Sequence, residues 1–331
     1  MKLSRKIALL QELGEYLVYE SPGWLRAQSQ ASQENPWFLP SFIRVSVHNL
    51  REQMLQAETL HDWARHYAIP ETRNEPRTVG LVMAGNIPLV GFHDFLSVFI
   101  SGHQQAIKTS SKDDALIRHI VDWLVQQEPS LTGEIRIQPM LKNCDAYIAT
   151  GSDNSARYFE QYFQKYPHII RRNRTSVALL DGSETAMELD ALADDIQLFF
   201  GLGCRNVTQL HVPEGYDFVP LLEALKKYGY FLEHHKYKHN FDYNLTIQIM
   251  NNQYYMTNGS VLFSENPSPF SPIGVVNYQF FREPDKLSAI SDPAKIQCVV
   301  GHGHLPFGQA QKPGLFNYAD GVDTMDFLKY L

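Results

Sequence analysis

Short apolar runs alternate with helix-like segments through the middle of the chain. Runs such as "RTVGLVMAGN", "HQQAIKTSS", "DAYIATGS" and "TSVALLDGS" are typical of buried strands that end in small polar turns. The segments between them, such as "KDDALIRHIVDWLVQQ", place apolar residues three and four positions apart, as amphipathic helices do. Strands that alternate with helices form parallel βαβ units. The pattern therefore predicts an α/β fold with a doubly wound sheet.

The two ends of the chain differ from this middle part. Residues 1–69 have helical spacing, with loops predicted at "SPG" and "ENPWFLPS". In "IPLVGFHDFLSVFISG" the spacing predicts a helix with Pro88 near its first turn, where proline is tolerated. After Cys204, the runs "VTQLHVP", "LTIQIM", "GSVLFS" and "PIGVVNYQF" predict strands with fewer helices between them. We therefore expect a second, smaller α/β domain in the C-terminal half.

Charge and composition argue against several classes of protein. The 331 residues include 29 Lys and Arg against 36 Asp and Glu, a formal net charge of −7, which argues against a primary nucleic-acid binder. No run of about 18 apolar residues is present, so no membrane-spanning helix is predicted. The N-terminal "MKLSRKIALLQELGEYL" carries Gln and Glu among its apolar residues and predicts an amphipathic helix instead of a signal peptide. We expect a protein of the reducing cytoplasm.

The cysteine and histidine spacings do not predict a metal site. The three cysteines form no CxxC pattern, which indicates neither a disulfide framework nor structural zinc. His235 and His239 are four residues apart, a spacing that can bind metal on a helix. The surrounding "EHHKYKH" is aromatic and basic, so a solvated helix face is the favoured interpretation.

One cysteine follows a predicted helix, "ETAMELDALADDIQLFFG", on a loop with two glycines. Gly201 and Gly203 leave space beside Cys204 for a substrate, and a thiolate there would be a strong nucleophile. The alternative is a small buried side chain, as cysteines without a disulfide usually are. The local sequence leaves both interpretations open for Cys204, whereas Cys144 and Cys298 lie in strand-like runs and are interpreted as buried.

Turns that follow three of the predicted strands could bind anions. "AGNIP" and "ATGSDN" open helices, where backbone N–H groups and glycine favour a phosphate. Neither turn matches the GxGxxG or the Walker pattern. In "AIKTSSKDD", Lys108 ends a strand with Ser110 behind it and could hold a ribose or a phosphate; a solvated lysine is the alternative.

Seven motifs, taken together and in this order, resemble the acyl-CoA reductase family, typified by the fatty acid reductase subunit of bacterial bioluminescence, within the aldehyde dehydrogenase superfamily. The motifs are "AGNIP", "AIKTSS", "YIATGSDNSARYF", "YPHIIRRNRTSVALLDG", "FFGLGCRNV", "SPIGVV" and "PFGQAQKPGLFNYADGVDTMDFL". The likeness runs from about Val79 to the C-terminus. It implies an aldehyde dehydrogenase-like fold, with a doubly wound nucleotide-binding domain and a smaller α/β catalytic domain.

The resemblance implies two catalytic residues. Cys204 matches the nucleophile of the family. Asn86 matches the asparagine whose amide helps to form the oxyanion hole, with the backbone N–H of Cys204 as the second donor. Fixed donors of this kind stabilise a tetrahedral oxyanion.

The resemblance also implies a set of cofactor-binding residues. Lys108 matches the lysine that holds the adenosine ribose, and Ser110 lies in the same turn. Lys112, two residues further on, could pair with a 2′-phosphate, so NADPH is favoured over NADH, which stays open. The other matches lie at the pyrophosphate and near the nicotinamide end of the site: Gly151 and Ser152, then Pro306, Phe307 and Gly308.

One departure from the superfamily concerns a catalytic base. Hydrolytic aldehyde dehydrogenases use a glutamate to activate water against the acyl-enzyme, but residues 171–180, "RRNRTSVALL", contain no carboxylate. Without a positioned base, hydrolysis of the thioester should be slow. His168, His302 and His304 are the remaining candidates for an acid or a base.

The sequence thus predicts two domains and a reductase. Residues 1–175 are predicted to form an N-terminal helical segment and a dinucleotide-binding domain, and residues 176–331 a catalytic domain with the nucleophile. The expected reaction is reduction of an acyl-CoA or acyl-carrier thioester, with a fatty acyl chain favoured, to the aldehyde through an acyl-enzyme on Cys204. An NAD-dependent aldehyde dehydrogenase and a non-catalytic partner in an acyl-transfer complex are the alternatives. An acyl-transferring partner protein and a homo-oligomer stay open.

Overall fold

A computed structural model describes residues 1–281 and 293–331. The chain divides into two compact units. The first comprises Met1–Asn173 and Pro313–Leu331, and the second comprises Arg174–Lys312.

The first unit begins with four helices, as the N-terminal spacing predicts. Ser21 starts the second of them by accepting the Trp24 N–H at 3.3 Å, and Pro22 occupies its first turn. Trp24 and Trp63 are fully buried in the core that the helices share with the sheet of this unit. The four helices are α1 (Leu3–Val18), α2 (Pro22–Glu34), α3 (Pro40–Met54) and α4 (Ala57–His66).

A five-stranded parallel sheet with three further helices completes most of this unit. The strands are β1 (Thr78–Val82), β2 (Gln104–Lys108), β3 (Ile135–Ile137), β4 (Ala146–Thr150) and β5 (His168–Arg171), and the helices are α5 (Phe92–Ser101), α6 (Ala115–Gln127) and α7 (Asp153–Phe163). The order is β3-β2-β1-β4-β5, so the chain winds outwards from β1 and then returns to its other side at β4. The doubly wound α/β prediction is confirmed, and the switch point lies between β1 and β4.

The helix after β1 starts later than the sequence predicts. The spacing predicts Pro88 near the first turn of this helix, but α5 begins at Phe92 and the residues before it form turns. Leu89 has a φ of +59°, a left-handed conformation that cannot be part of an α-helix. The helical spacing of residues 87–91 therefore did not translate into helix.

The second unit contains a six-stranded mixed sheet in the order β11-β6-β7-β10-β9-β8. Its strands are β6 (Thr175–Leu179), β7 (Val207–Pro213), β8 (Tyr255–Thr257), β9 (Leu262–Glu265), β10 (Val275–Phe281) and β11 (Ile296–Gly301), and its helices are α8 (Ala186–Gln197), α9 (Val219–Ala224) and α10 (His235–Met250). All neighbouring strands are parallel except β8 and β9. The second α/β domain is confirmed.

One predicted strand of this unit is wrong. "LTIQIM", residues 245–250, is the last part of α10. Ile247, Ile249 and Met250 are all exposed there, so the alternation does not reflect one buried strand face. Six residues of alternation cannot by themselves distinguish a strand from a helix.

The units divide the chain differently from the predicted domains. The division falls between residues 173 and 174 instead of after residue 175, and residues 313–331 belong to the first unit. Helix α11 (Thr324–Lys329) buries Met325 and Leu328 in the core of that unit, and Trp63 Nε1 donates to Tyr318 Oη at 2.8 Å. A short amphipathic helix does not show in its sequence which core it joins. The functions assigned to the two domains stay predictions.

Candidate active site

Cys204 lies in a tight turn that follows α8 in the second unit. After α8 the chain passes through Phe199, Phe200 and Gly201, whose φ angles are +58°, +57° and +73°. Two bulky residues in left-handed backbone cost about 1–3 kcal/mol each. Burial of Phe200, whose ring lies 4.4 Å from that of Phe231, offsets this strain. The strained bend ends the helix abruptly and begins the cysteine turn.

Asn206 fixes the cysteine turn to the end of α8. The Asn206 side chain is fully buried, and its Oδ1 accepts the Gly203 N–H at 2.8 Å. Its Nδ2 donates to the backbone oxygens of Asp195 at 3.1 Å and Leu198 at 2.8 Å. The Asn206 N–H itself donates to Gly203 O at 3.0 Å, which closes the turn over residues 203–206. The Asn206 side chain thus hydrogen-bonds carbonyl oxygens at the end of α8 and also the N–H group at the start of the cysteine turn.

The partly buried Cys204 is also held from the sheet. Its backbone oxygen accepts a hydrogen bond from Ser176 Oγ on β6 at 3.1 Å. The same Oγ lies 3.0 Å from the Cys298 sulfur and accepts the Cys298 N–H at 3.2 Å. The turn therefore has a defined backbone position around a partly buried thiol.

The other two thiols are in unfavourable places for a nucleophile. Burial raises the pKa of Cys298, although hydrogen bonding to Ser176 and the charge of Arg205 oppose it. Burial also raises the pKa of Cys144, which packs against Tyr147 and Ala106 in the first unit. Both findings agree with the interpretation of these cysteines as structural.

Iodoacetamide should therefore alkylate Cys204 before the other two cysteines at neutral pH. Each unit by which a thiol pKa rises lowers its thiolate fraction about tenfold. We expect Cys204 to react faster than Cys144 and Cys298 in the folded protein, because burial raises the pKa of both of these thiols and so lowers their thiolate fractions. Peptide mapping over time measures the three rates. Equal rates in native protein would contradict this arrangement, and equal rates after denaturation are the control.

The predicted residues Pro306, Phe307 and Gly308 lie on a loop that is fastened to α8. The fully buried Asp195 accepts the Gly308 N–H at 2.6 Å and the Ala310 N–H at 3.0 Å. Gly308 has a φ of +79°, and a Cβ added there would lie 3.0 Å from the Ala191 Cβ on the same helix. Burial raises the pKa of Asp195 to about 7, against the effect of the two N–H groups. We did not predict Asp195 from the sequence.

His302 is held between two carboxylates. Its Nδ1 lies 3.0 Å from Asp181 Oδ2 and its Nε2 lies 3.0 Å from Glu188 Oε1. Asp181, and then Glu188, raise the pKa of His302. Protonated imidazole can donate from both nitrogens, so this histidine is poorly suited to act as a neutral base.

Three side chains of types that can bind a metal ion lie together, and His302 is one of them. Asp181, Glu184 and His302 have ligand atoms within 4.8 Å of one another. The hydrogen bonds within the cluster explain the arrangement, because Glu184 Oε1 accepts the Asp181 N–H at 2.6 Å and His302 faces Asp181. The cluster carries no assignment of a metal.

In the first unit, three predicted turns share one edge of the sheet. Strands β2, β1 and β4 are neighbours, and their carboxyl ends carry the remaining predicted residues: Asn86, Lys108, Ser110, Lys112, Gly151 and Ser152. Gly85 is needed for two of the turns to meet, because a Cβ there would lie 2.7 Å from Ser110 Oγ. Ser152 caps α7 by accepting the Ser155 N–H at 3.3 Å. Lys108 and Lys112 are exposed.

A buried aspartate fixes the turn that carries Asn86. Asp113, which is 3 % exposed, accepts the Leu89 N–H at 2.7 Å through Oδ2. This bond holds the left-handed residue that ends the turn. Burial raises the pKa of Asp113 to about 7. Its role follows only from the structure, since 24 residues separate the two groups.

The stretch without a carboxylate divides between the two units. Arg171 belongs to the first unit, where it pairs with Asp94 at 2.7 Å and donates to Thr324 Oγ1 at 2.7 Å. Arg174 belongs to the second unit and donates to Ile296 O at 3.2 Å. Exposed His168 hydrogen-bonds the Tyr166 backbone oxygen at 2.8 Å. Arg171, Arg174 and His168 thus have structural partners, and residues 171–180 themselves contribute no carboxylate.

Solved structures that are similar to this chain show which fold it has. The chain is similar to ALDH21 from Physcomitrella patens, in complex with succinate (TM-score 0.66, 13 % identity, covering 91 % of this chain and 74 % of that one). It is also similar to aldehyde dehydrogenases in complex with NAD⁺ from Bacillus cereus (0.64, 14 %, 91 % and 72 %) and Mycobacterium tuberculosis (0.64, 13 %, 88 % and 71 %). The predicted aldehyde dehydrogenase-like fold is confirmed.

The sequence identifies the family within this class. Residues 44–217, slightly more than half of the chain, match the family described as acyl-CoA reductase (LuxC), and the chain belongs to that family. The predicted family is thereby confirmed, and with it an oxidoreductase that forms an aldehyde from an acyl group. No curated protein matches the chain. Across residues 1–281 and 293–331, the structure contains no helix long and apolar enough to cross a membrane.

Proposed function

We propose that this protein reduces an acyl thioester to the aldehyde with NADPH, through an acyl-enzyme on Cys204. The substrate class is an acyl-CoA or an acyl-carrier thioester with a fatty acyl chain. The observation that carries the proposal is the turn over residues 203–206, in which Asn206 and Ser176 hold the backbone around a partly buried thiol. Family membership supplies the direction of the reaction.

The chain would perform the covalent steps with its own residues. The Cys204 thiolate attacks the thioester carbonyl carbon, the bond to the carrier sulfur breaks, and the carrier leaves and takes up a proton. This step leaves the acyl group as a thioester on Cys204. NADPH, when bound, supplies the hydride that reduces this thioester. Cleavage of the bond between carbon and Sγ then releases the aldehyde and returns the Cys204 thiolate. We retain Asn86 and the Cys204 N–H as the oxyanion donors that the family resemblance implies.

The edge of the first sheet fits a dinucleotide. Ligands of doubly wound sheets bind beyond the carboxyl ends of the strands at the switch point, which here carries Gly85 on one side and Gly151 on the other. Ser152 is at the start of a helix, and Lys108 is an exposed residue at the end of a strand. We propose Lys108 and Ser110 for the ribose, Gly151 and Ser152 for the pyrophosphate, and Lys112 for a 2′-phosphate. Residues 306–308 would serve the nicotinamide end.

Two rival functions have less support. An NAD-dependent aldehyde dehydrogenase would need a base to hydrolyse its acyl-enzyme, and residues 171–180 contain no carboxylate. A non-catalytic partner would not require a cysteine in a turn that follows strained backbone and that Asn206 and Ser176 hold in place. The reducing cytoplasm, where a thiol persists, is the proposed location. A partner that transfers the acyl group, and a homo-oligomer, stay open.

The test of the proposed function is a panel of acyl-CoA esters of increasing chain length with NADPH or NADH. We expect absorbance loss at the nucleotide band matched by aldehyde formation, with the best kcat/KM for a long acyl chain and NADPH. NAD⁺-dependent oxidation of aldehydes to free acids, with no reduction of any acyl-CoA, would contradict the proposal.

Lys108→Ala should raise the KM for the nucleotide about tenfold, which corresponds to the loss of a hydrogen bond to a charged group. The value of kcat should change little, because the lysine would contribute to ground-state binding. Lys112→Ala is the matched comparison: it should raise the KM for NADPH while leaving that for NADH unchanged. Steady-state kinetics with both nucleotides decide the matter, and a fall in kcat at unchanged KM would exclude the role of Lys108.

A further inference from the structure

We propose that Asp195 is a positioning residue that fixes the loop over residues 306–310 relative to the Cys204 turn. This inference rests on the proposed function for its catalytic consequence, but its structural part can be tested without activity. Nothing in the sequence motifs assigns a role to this residue. The hydrogen bonds of Asp195 to Asn206, Gly308 and Ala310 lie within the second unit.

The first observation is that the fully buried Asp195 carboxylate forms its hydrogen bonds with backbone N–H groups. One Asp195 oxygen accepts the Gly308 N–H at 2.6 Å, and the other accepts the Ala310 N–H at 3.0 Å. Burying a charge is costly, and a neutral residue of similar volume is often no less stable. We therefore attribute the presence of a carboxylate at this position to its geometry and not to a gain in stability. Its two oxygens accept two N–H groups, which the single oxygen of an amide side chain cannot reach together.

The second observation is that the same residue is joined to the cysteine turn. The Asp195 backbone oxygen accepts Asn206 Nδ2 at 3.1 Å, and Asn206 Oδ1 accepts the Gly203 N–H at 2.8 Å. Asp195 on α8 thus binds the loop over residues 306–310 through its side chain, and it binds Asn206 of the cysteine turn through its backbone oxygen. Displacing either contact would change the distance between Cys204 and residues 306–310.

The loop has little freedom on its other sides. Gly308 lies against Ala191, one turn earlier on α8, and the Phe307 ring meets the His302 ring edge to face at 5.6 Å. His302 is in turn held by Asp181 and Glu188. The Asp195 carboxylate attaches the backbone of Gly308 and Ala310 to α8, so its loss should release residues 306–310 locally and leave the rest of the unit folded.

The charge state of Asp195 gives the proposal a distinctive pH dependence. Burial raises its pKa to about 7, Asp194 adds to the rise, and Lys312 and the two N–H groups oppose it. The Cys298 thiol on β11 also interacts electrostatically with the Asp195 carboxylate. Protonation of Asp195 turns one acceptor oxygen into a donor. The hydrogen bonds that Asp195 accepts from the Gly308 and Ala310 N–H groups should therefore weaken as the pH falls through about 7. Because the folded pKa lies above the unfolded one, the same protonation should stabilise the fold. The loop should loosen while the protein as a whole becomes more stable.

The experiment compares the wild type, Asp195→Asn and Asp190→Asn. Asp190 lies on the same helix but is exposed and pairs with Lys227, so it is the control for loss of one negative charge. Hydrogen–deuterium exchange is measured at pH 6 and pH 8 and corrected for the intrinsic rates. Expected results are at least tenfold faster exchange at Gly308 and Ala310 in Asp195→Asn, and faster corrected exchange at pH 6 than at pH 8 in the wild type. The wild-type comparison needs no variant to fold.

Activity adds an independent reading. In Asp195→Asn, kcat should fall about tenfold or more, the KM for acyl-CoA should change less than threefold, and the midpoint of thermal unfolding should not fall. In the wild type we expect kcat to fall below about pH 7 as Asp195 becomes protonated, and this dependence should be absent from Asp195→Asn. Unchanged exchange at Gly308 and Ala310, or a loss of activity that follows a loss of stability, would overturn the proposal. If the wild type shows no reductase activity but the exchange results hold, the proposed function fails and the positioning contact stands.

Discussion

Cys204→Ala is expected to abolish reduction of acyl-CoA, lowering kcat/KM by about 10⁴-fold or more, because removal of a covalent nucleophile eliminates the acyl-enzyme route. Nucleotide binding should persist, since the proposed nucleotide residues other than 306–308 lie in the first unit. Stability should change little, because Asn206 and Ser176 hold the backbone of the turn. Kinetics, nucleotide titration and thermal unfolding of the purified variant measure the three expectations.

Cys144→Ala is the matched control for this substitution. It removes a thiol of the same size from the core of the first unit, where burial raises its pKa. We expect activity within about twofold of the wild type at a temperature where the variant is folded. Activity retained in Cys204→Ala, or lost equally in both variants, would contradict the role of Cys204.

Slow leakage of the acyl-enzyme is the second large effect. A positioned general base contributes about 10²–10⁴-fold to the activation of water, and residues 171–180 supply no carboxylate. Release of free acid from acylated protein without nucleotide should therefore be about 10²-fold or more slower than reductive turnover. The measurement is free acid per minute from purified acyl-enzyme, with and without NADPH.

The histidines define the control for leakage. His302 offers both nitrogens to carboxylates, which raise its pKa, and so it should not serve as a base near neutral pH. His302→Gln should leave the leakage rate unchanged. If the wild type leaks as fast as it reduces, a base exists elsewhere, and His304→Ala and His168→Ala become the variants that locate it. That outcome would favour the aldehyde-oxidising alternative.

The repeating pattern of the fold was readable because parallel strands are buried on both faces. β1, β4 and β6 consist mostly of buried apolar residues and end in small polar turns, and β2 buries its three middle residues. β5 was not recognised, because His168–Arg171 is a four-residue edge strand with a charged end. The strand predicted from "LTIQIM" was wrong for the converse reason: its alternation belongs to the end of a long polar helix.

The supporting residues of the candidate site could not be predicted. The motifs pointed to Cys204 and residues 306–308, whose roles stay predictions, but Asp195 lies 113 residues from its partner Gly308. Asp113 and Asn206 likewise look like ordinary polar residues of turns and helix ends in the sequence. Their importance comes from burial and from backbone N–H groups brought near them by the fold. A sequence pattern records neither property.

The most direct test of the central claim is a single-turnover measurement on the wild type. The protein is mixed with a long-chain acyl-CoA, its intact mass and peptide map are recorded, and NADPH is then added. We predict a mass increase of one acyl group on Cys204, stable for many turnover times, which disappears after NADPH addition with one equivalent of aldehyde formed. Aldehyde formation with no adduct, or an adduct on another residue that is reduced at the same rate, would contradict the account.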